Sequence, residues 1–577
     1  MQELKGLTGN HGQALGKISL IQNIEINSSC KSIDDPEREI KKLEHARDSY
    51  RIELNDLFEE TKKNFGETEA EIFHAYLEMV NDDCFFYNPL NRVKNELINI
   101  EFALNEEKKA ISALFSQMDD PYMKERGKDI ENVCNELLMK MHNVDSHSRI
   151  QTFQEPFIVI AEDLTPADTV RLDKTYLKGI VTEKGGQTSH TVILAKTLGI
   201  PAIVGATDIL SKSVDGEDIL IDGSSGEIFI SPNQEKIEQY ENYVVKGKEK
   251  ALFLNKYNTA PAITQDGHFT EVRVNVGDID SINTMNMNIC DGIGLFRTEF
   301  LYMAENDYPS EEKQFSVYKK LAEKADGKNI IIRTLDIGGD KRIDYMNIPE
   351  ESNPFLGYRA IRICLDKKDI FKTQLRALLR ASAFGNISIM FPMIVTLEEL
   401  KDAKAMVKEC MQELEHEQIS YNDSIQLGIM IETPAAVLIS DLLASEADFF
   451  SIGTNDLIQY ITATDRMNEK LQYLYRGCNL SVLRAIKLVA ENAHRAGIPI
   501  GICGEAASDE RLIPFWISYQ IDELSMVSSQ TAQIKYLICN TTKTHADEVT
   551  ETALNMTSIE DVEYYLNEEL QHYTELF

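Results

Sequence analysis

No C-x-x-C pair occurs in this chain. Its nine cysteines (Cys30, Cys84, Cys134, Cys290, Cys364, Cys410, Cys478, Cys503 and Cys539) are scattered. That excludes a zinc ribbon or a disulfide framework and fits a reducing cytoplasm. No uninterrupted apolar run reaches membrane-span length, and Met1-Gln2-Glu3-Leu4-Lys5 does not open a signal peptide. Basic residues are in deficit too: 59 Lys and Arg face 94 Asp and Glu, a formal net charge of -35. Such a field argues against binding a nucleic-acid backbone and suits a basic protein partner, although it serves solubility equally well. What is present is ordinary for a globular protein, with 43% hydrophobic and 27% charged residues. The length of 577 residues suggests two to four domains.

The most informative stretch runs from Lys184 through Gly185-Gly186-Gln187-Thr188-Ser189 to His190. It leads into an apolar run with helical spacing (Val192, Ile193, Ala195 and Leu198), which Gly199-Ile200-Pro201 ends. With Thr188 or Ser189 as N-cap, the pattern predicts His190 in the first turn of a helix. Free N–H groups and the positive end of the dipole suit a phosphate there. Histidine is mostly neutral at pH 7, so a ring nitrogen can accept a phosphoryl group without prior activation. Taken alone, such a histidine can equally do no more than hydrogen-bond nearby backbone.

The remaining pattern divides the chain. Residues 1 to 24 hold one β-like run, Gly16 to Ile21. From about 36 to 145 the spacing is helical, as in Ile72, Ala75, Tyr76, Met79 and Val80, or Ile111, Leu114, Phe115 and Met118. This predicts a helical hairpin bundle with an acidic face (Glu67, Glu69, Glu71, Asp82, Asp83). Beyond residue 156 come short apolar runs: Phe157–Ile160, Gly179–Val181, Ala202–Val204, Ile219–Ile221 and Glu227–Ile230. They alternate with helical segments and indicate an α/β domain into which the bundle is inserted. Gln234 to Lys250 reads as a linker helix.

From Asp266 onward eight strand candidates alternate with helical stretches. They are Val272–Asn275, Gly292–Phe296, Ile330–Ile332, Ser388–Phe391, Gln426–Ile431, Phe449–Ile452, Ile500–Ile502 and Glu523–Met526. Eight such units are what a closed (β/α)8 barrel requires, with an open doubly wound sheet as the alternative. The segments after these strands bring Arg297, Arg333, Glu432, Asn455, Asp456 and Cys503 to one mouth. The arginines offer forks for phosphate or carboxylate. Glu432 and Asp456 are hard oxygen ligands suited to Mg2+. Asn455 and Arg466 can hold a carboxylate, and Cys503 carries a transferable proton. The set implies a small substrate with both phosphate and carboxylate, unless each arginine is merely paired with a neighbouring acid.

Several long motifs resemble Enzyme I of the bacterial phosphoenolpyruvate-dependent sugar phosphotransferase system. They are Gly294-Leu295-Phe296-Arg297-Thr298-Glu299-Phe300-Leu301-Tyr302-Met303, Arg333 to Lys341, Asn353 to Arg362, Phe449 to Tyr460 and Cys503-Gly504-Glu505. The resemblance covers nearly the whole chain. It implies a multidomain α/β protein with a swivelling phosphohistidine domain (1–24 and 146–231) and an inserted helical domain (25–145) that binds the carrier HPr. A linker helix (232–261) would then lead to a (β/α)8 TIM-like barrel (262–577) that binds phosphoenolpyruvate and forms the homodimer. The implied activity transfers the phosphoryl group of phosphoenolpyruvate to His190 and on to a histidine of HPr. Pyruvate is released, in the first step of sugar uptake.

In this resemblance Mg2+ sits on Glu432 and Asp456. Arg297, Arg333, Lys341 and Arg359 hold the phosphate, Asn455 and Arg466 the carboxylate, and Cys503 protonates the enolate. Asp168, Thr169, Thr188 and Lys196 surround the phosphohistidine. The implied setting is cytoplasmic, with neither nucleic acid nor membrane insertion. The chain departs from the family pattern at Gln187 and Lys196, where arginine is usual, and lysine cannot copy a bidentate arginine contact. The segments Gly6 to Gly12 and Tyr475 to Asn479 also differ. A dikinase or synthase with a similar swivelling domain would need a nucleotide-binding domain, and no glycine-rich block for one precedes residue 150. A regulatory protein that docks partners without transfer is the rival from another class, and retention of His190, Cys503, Glu432 and Asp456 argues against it.

Overall fold

The computed structural model describes residues 1–21, 26, 28–64, 67–116, 121–142, 144, 153–185, 190–303, 306–339, 341 and 343–574. The chain divides into two compact units, Met1–Val245 and Lys246–Phe577. The division falls inside the expected linker helix, which spans Gln234–Leu254.

The first unit carries a sheet of eight strands: β1 (Gln2–Lys5), β2 (Leu7–Asn10), β3 (Gln13–Ile21), β4 (Phe157–Ala161), β5 (Leu177–Thr182), β6 (Ala202–Val204), β7 (Asp218–Asp222) and β8 (Glu227–Ile230). Their order is β1-β8-β7-β3-β4-β5-β6-β2. The central β3, β4, β5 and β6 are parallel and every other pairing is antiparallel. Side chains such as Ile18, Ile160, Val181 and Ile221 meet in one buried cluster of this part. The sequence patterns had indicated six of these strands. The two edge strands β1 and β2 read QELK and LTGN, too polar to register as apolar runs.

Between β3 and β4 the chain makes five helices: α1 (Pro36–Asn64), α2 (Glu67–Asn81), α3 (Asp83–Glu96), α4 (Ile100–Ser116) and α5 (Pro121–Met141). Tyr50, Leu54, Phe73, Tyr76, Phe86 and Leu137 form their shared core. Each such side chain contributes about 1.5–3 kcal/mol when withdrawn from water. Ala167 and Val170, from the short helix Pro166–Arg171, belong to the same cluster, so the bundle packs on the α/β part. An Arg171–Glu53 ion pair and a Lys128–Asp163 pair at 3.2 Å cross the same junction.

The second unit is a closed barrel of β9 (Glu271–Val276), β10 (Ile293–Phe296), β11 (Ile330–Arg333), β12 (Ile387–Phe391), β13 (Gln426–Ile431), β14 (Phe450–Ile452), β15 (Ile500–Ile502) and β16 (Glu523–Met526). All neighbours are parallel, and β16 closes on β9 through Leu524 opposite Val272 and Met526 opposite Val274. An open sheet is thereby excluded. Buried throughout, β11, β12, β14 and β15 read as near-continuous apolar runs, which is why they stand out in the sequence, whereas β9 (EVRVNV) alternates. Leu295, Ile331, Met390, Met430, Phe449 and Cys503 form a separate cluster inside the barrel, so its interior is packed rather than hollow. Among the described residues no helix is long and apolar enough to cross a membrane.

Candidate active site

The carboxyl ends of the barrel strands surround a cavity of about 530 Å³. Arg297, Arg333, Lys341, Arg359, Glu432, Asn455, Asp456, Arg466 and Cys503 all line it. Every barrel residue singled out by sequence therefore reaches the same opening. Two glycines let the wall close. A Cβ on Gly453 would lie 2.9 Å from Glu432 Oε2 and 2.8 Å from Met430 Sδ. One on Gly504 would lie 2.0 Å from Thr454 Oγ1.

The arginines are both gathered and paired. Arg333 bonds Glu299 at 2.7 Å and Asp336 at 3.0 Å. Arg359 bonds the other oxygen of Asp336 at 2.9 Å and Asp456 at 3.2 Å. Arg466 bonds Asp456 at 3.2 Å. This ladder leaves donors over. The Nε–H groups of Arg333 and Arg359 are buried and have no hydrogen-bond partner among the described residues. Lys341 lies 3.9 Å from Glu299, and exposed Arg297 makes no ion pair among the described residues. The site thus holds cationic capacity beyond what its own acids absorb, as an anionic substrate requires.

Backbone geometry holds these groups. Ala360 takes φ 52°, ψ -125° beside Arg359, and its N–H donates to Ile337 O at 3.0 Å. Met393 takes φ 58°, and its N–H donates to Glu432 Oε1 at 2.6 Å. A non-glycine residue at such angles costs about 1–3 kcal/mol, a strain that the surrounding packing must sustain. Asn455 and Glu505 bond reciprocally, Glu505 N–H to Asn455 Oδ1 at 3.0 Å and Asn455 Nδ2 to Glu505 Oε1 at 3.3 Å. That joins the segments following β14 and β15.

The electrostatics separate the acids. Burial pushes the Asp336 carboxyl up, but the Arg333 and Arg359 guanidiniums overcome it and hold the group well below the usual carboxylate range. Glu432 goes the other way. Burial, then the nearby Asp456 and Asp336 carboxylates, push it up to about 8 against the pull of the two arginines. Burial pushes the Cys503 thiol up to about 11, so Cys503 stays protonated at neutral pH.

In the first unit, His190 begins the helix His190–Leu198, as the pattern predicts. Its side chain, and all of Thr188, lie outside the described residues. Asp168 closes a capping box with Thr165 at the start of Pro166–Arg171: Thr165 Oγ1 donates to Asp168 Oδ2 at 2.6 Å. Its other oxygen, Oδ1, is buried without a partner. Thr169 Oγ1 donates to Pro166 O at 2.6 Å. Lys196 is exposed on the His190–Leu198 helix.

Family models match three stretches of this chain: the PEP-binding domain of PEP-utilising enzymes over residues 253–543, their mobile domain over 153–226 and their N-terminal domain over 5–126. A phosphoenolpyruvate-protein phosphotransferase of Priestia megaterium is 40% identical over 97% of this chain and 98% of its own length. That of Bacillus subtilis (strain 168) is 40% identical over 98% of this chain and 100% of its own. The chain belongs to the phosphoenolpyruvate-protein phosphotransferase family.

In this phosphotransferase the metal question turns on the donor set. Among the described residues no group of three or more His, Cys, Asp or Glu forms a metal cluster. Glu432 and Asp456 supply two carboxylates, and the elevation of Glu432 comes first from burial and then from the neighbouring Asp456 and Asp336 charges, both of which a cation would offset. Two carboxylates completed by substrate oxygens and water are the set that Mg2+ accepts, so the residues fit.

Sequence reasoning gave no role to Asp336 or Glu299, which hold Arg333 in place. It also passed over Tyr460, whose hydroxyl accepts from Arg359 at 3.2 Å, and Tyr475, whose hydroxyl donates to Asn455 O at 3.2 Å. A buried acid that orients an arginine leaves no local signal, because its partner lies elsewhere in the chain.

Proposed function

We propose that this phosphoenolpyruvate-protein phosphotransferase works through His190 as follows. Phosphoenolpyruvate enters the barrel mouth with its phosphate on Arg297, Arg333, Lys341 and Arg359 and its carboxylate on Asn455 and Arg466. Glu432 and Asp456 would hold Mg2+, which would supply positive charge to stabilise the phosphoryl group as it transfers. A ring nitrogen of His190 attacks phosphorus in line, forming a P–N bond as the P–O bond to the enolate breaks. Cys503 then gives its proton to C3 of the enolate, and pyruvate forms. Catalysis here is positioning and charge neutralisation, which suits a site built of fixed cations.

The phosphohistidine, with Asp168, Thr169, Thr188 and Lys196 around it, next passes its phosphoryl group to a histidine of the carrier HPr docked on the helical bundle. The domain division 1–24 with 146–231, 25–145, 232–261 and 262–577 belongs to this reading, as do dimerisation through the barrel and work in the cytoplasm. The net charge of -35 supports a basic carrier. The observation that carries the reading is the pair of unpartnered, buried arginine Nε–H groups in a cavity that also holds two carboxylates and a thiol. Incubation with labelled phosphoenolpyruvate and Mg2+ tests it. Acid-labile, base-stable label should appear on the wild type and not on His190→Ala, which should still bind phosphoenolpyruvate. Label on His190→Ala would refute the assignment.

A further inference from the structure

We propose that Ser451 is a positioning residue for Cys503: its hydroxyl donates a hydrogen bond to the sulfur once the thiol has given up its proton. The inference rests on the reading of Cys503 as proton donor.

Ser451 is the middle residue of β14, paired with Met430 on β13 and Gly501 on β15. Laterally paired residues share a face of the sheet. Met430 belongs to the cluster inside the barrel, so Ser451 faces inward with it. Cys503 follows Gly501 by two residues and faces the same way. Gly501 has no side chain, and the Glu523 side chain lies over it, 3.2 Å from where a Cβ would be. Ser451 is 1% exposed, and in the resting site its hydroxyl has no hydrogen-bond partner among the described residues, an uncommon state for a buried polar group.

The thiol itself is fixed. The Cys503 N–H donates to Ile452 O at 3.1 Å, and the Cys503 carbonyl accepts from Asn275 Nδ2 at 3.2 Å. Asn275 is in turn held by the Ser525 hydroxyl at 2.6 Å. These bonds hold the Cys503 backbone, so the thiol can reposition only by rotation about its own Cα–Cβ bond. The Sγ lies 3.6 Å from the Ile452 carbonyl, which can accept from a thiol.

Proton transfer inverts that arrangement. The S–H bond breaks, a C3–H bond forms, and the enolate oxygen becomes the carbonyl of pyruvate. The sulfur is left negative beside a carbonyl lone pair and the apolar side chains of Leu295, Met430 and Phe449, with the Arg333 guanidinium favouring the charge and the Glu432 and Glu523 carboxyls opposing it. A hydroxyl that rotates to donate stabilises that thiolate without adding charge to the resting site. The same hydroxyl lowers the affinity of the sulfur for its proton, opposing the effect of burial. Water reprotonates the sulfur after pyruvate leaves.

Single-turnover and steady-state kinetics with phosphoenolpyruvate and Mg2+ test this. Ser451→Ala should lower kcat about tenfold or more, the scale of a hydrogen bond to a charged group, with KM held within about twofold. The solvent deuterium isotope effect on kcat should rise, because proton transfer becomes slower. Ser451→Thr, which keeps a hydroxyl, should recover most of the rate. In a Cys503→Ala background, Ser451→Ala should have almost no further effect. Equal slowing in that background, or an unchanged kcat and isotope effect in Ser451→Ala alone, would overturn the inference. If Cys503→Ala itself runs at the wild-type rate, the proton-donor reading fails first and takes this inference with it.

Discussion

Asp336→Asn is the most informative single change in the barrel. The Asp336 side chain is 3% exposed and bridges Arg333 at 3.0 Å and Arg359 at 2.9 Å. Removing one partner of a buried ion pair costs about 3–5 kcal/mol. Asparagine keeps one acceptor oxygen, and Glu299 and Asp456 still face the two arginines, which favours the lower end, about 3 kcal/mol. The chain has one tryptophan, and Trp516 is fully buried in the barrel with its Nε1 donating to Ala506 O at 3.0 Å. Its fluorescence during urea unfolding therefore reports on the right unit. The pH dependence follows from the depressed carboxyl. Its contribution is present above the unfolded value of about 3.9 and is lost as pH falls through the lower folded value. The gap between wild type and Asp336→Asn should narrow below about pH 4. A gap under about 1 kcal/mol at pH 7, or one that widens in acid, would refute the argument that this carboxylate holds the arginines.

Two further outcomes follow from the same site. Arg359→Lys replaces a fork that spans Asp336 and Asp456 with a single point of charge, and the KM for phosphoenolpyruvate should rise about ten- to a hundredfold in steady-state assays. Ala360→Gly relieves a positive φ of 52° and should raise the unfolding free energy read from Trp516 fluorescence by about 1 kcal/mol after the entropy cost of glycine. The same substitution loosens the backbone next to Arg359, so KM should rise while stability improves.

The barrel was legible because parallel strands buried on both faces write continuous apolar runs, as in Ile330–Ile332 or Ile500–Ile502. The edge strands β1 and β2 were not, since pairing on one side only leaves polar residues such as Gln2, Glu3 and Thr8 no cost to avoid. Arg297, Arg333 and Cys503 could be found because each lies at a strand end, whereas Lys341 and Arg359 came from the family resemblance. Asp336 lies unremarked inside the motif Arg333 to Lys341. Its meaning arises from Arg359, 23 positions on, and only the folded chain brings that guanidinium against it. Pairing and gathering, set against each other at the level of sequence, turn out to coexist. Arg333 and Arg359 each satisfy two acids and still keep a buried N–H in reserve.

The junction of β3 with β4 has a practical corollary. The strands run side by side in the same direction, from Lys17 opposite Phe157 to Ile21 opposite Ala161. A chain leaving after Ile21 must travel back along the strand, roughly 13 Å, before it can resume at Phe157. The five helices therefore serve as a return strap as well as a module. No tight hairpin can substitute for them, and a trimmed version needs a tether long enough to retrace that path. By the same geometry, any other module whose two ends stand that far apart could be grafted in their stead.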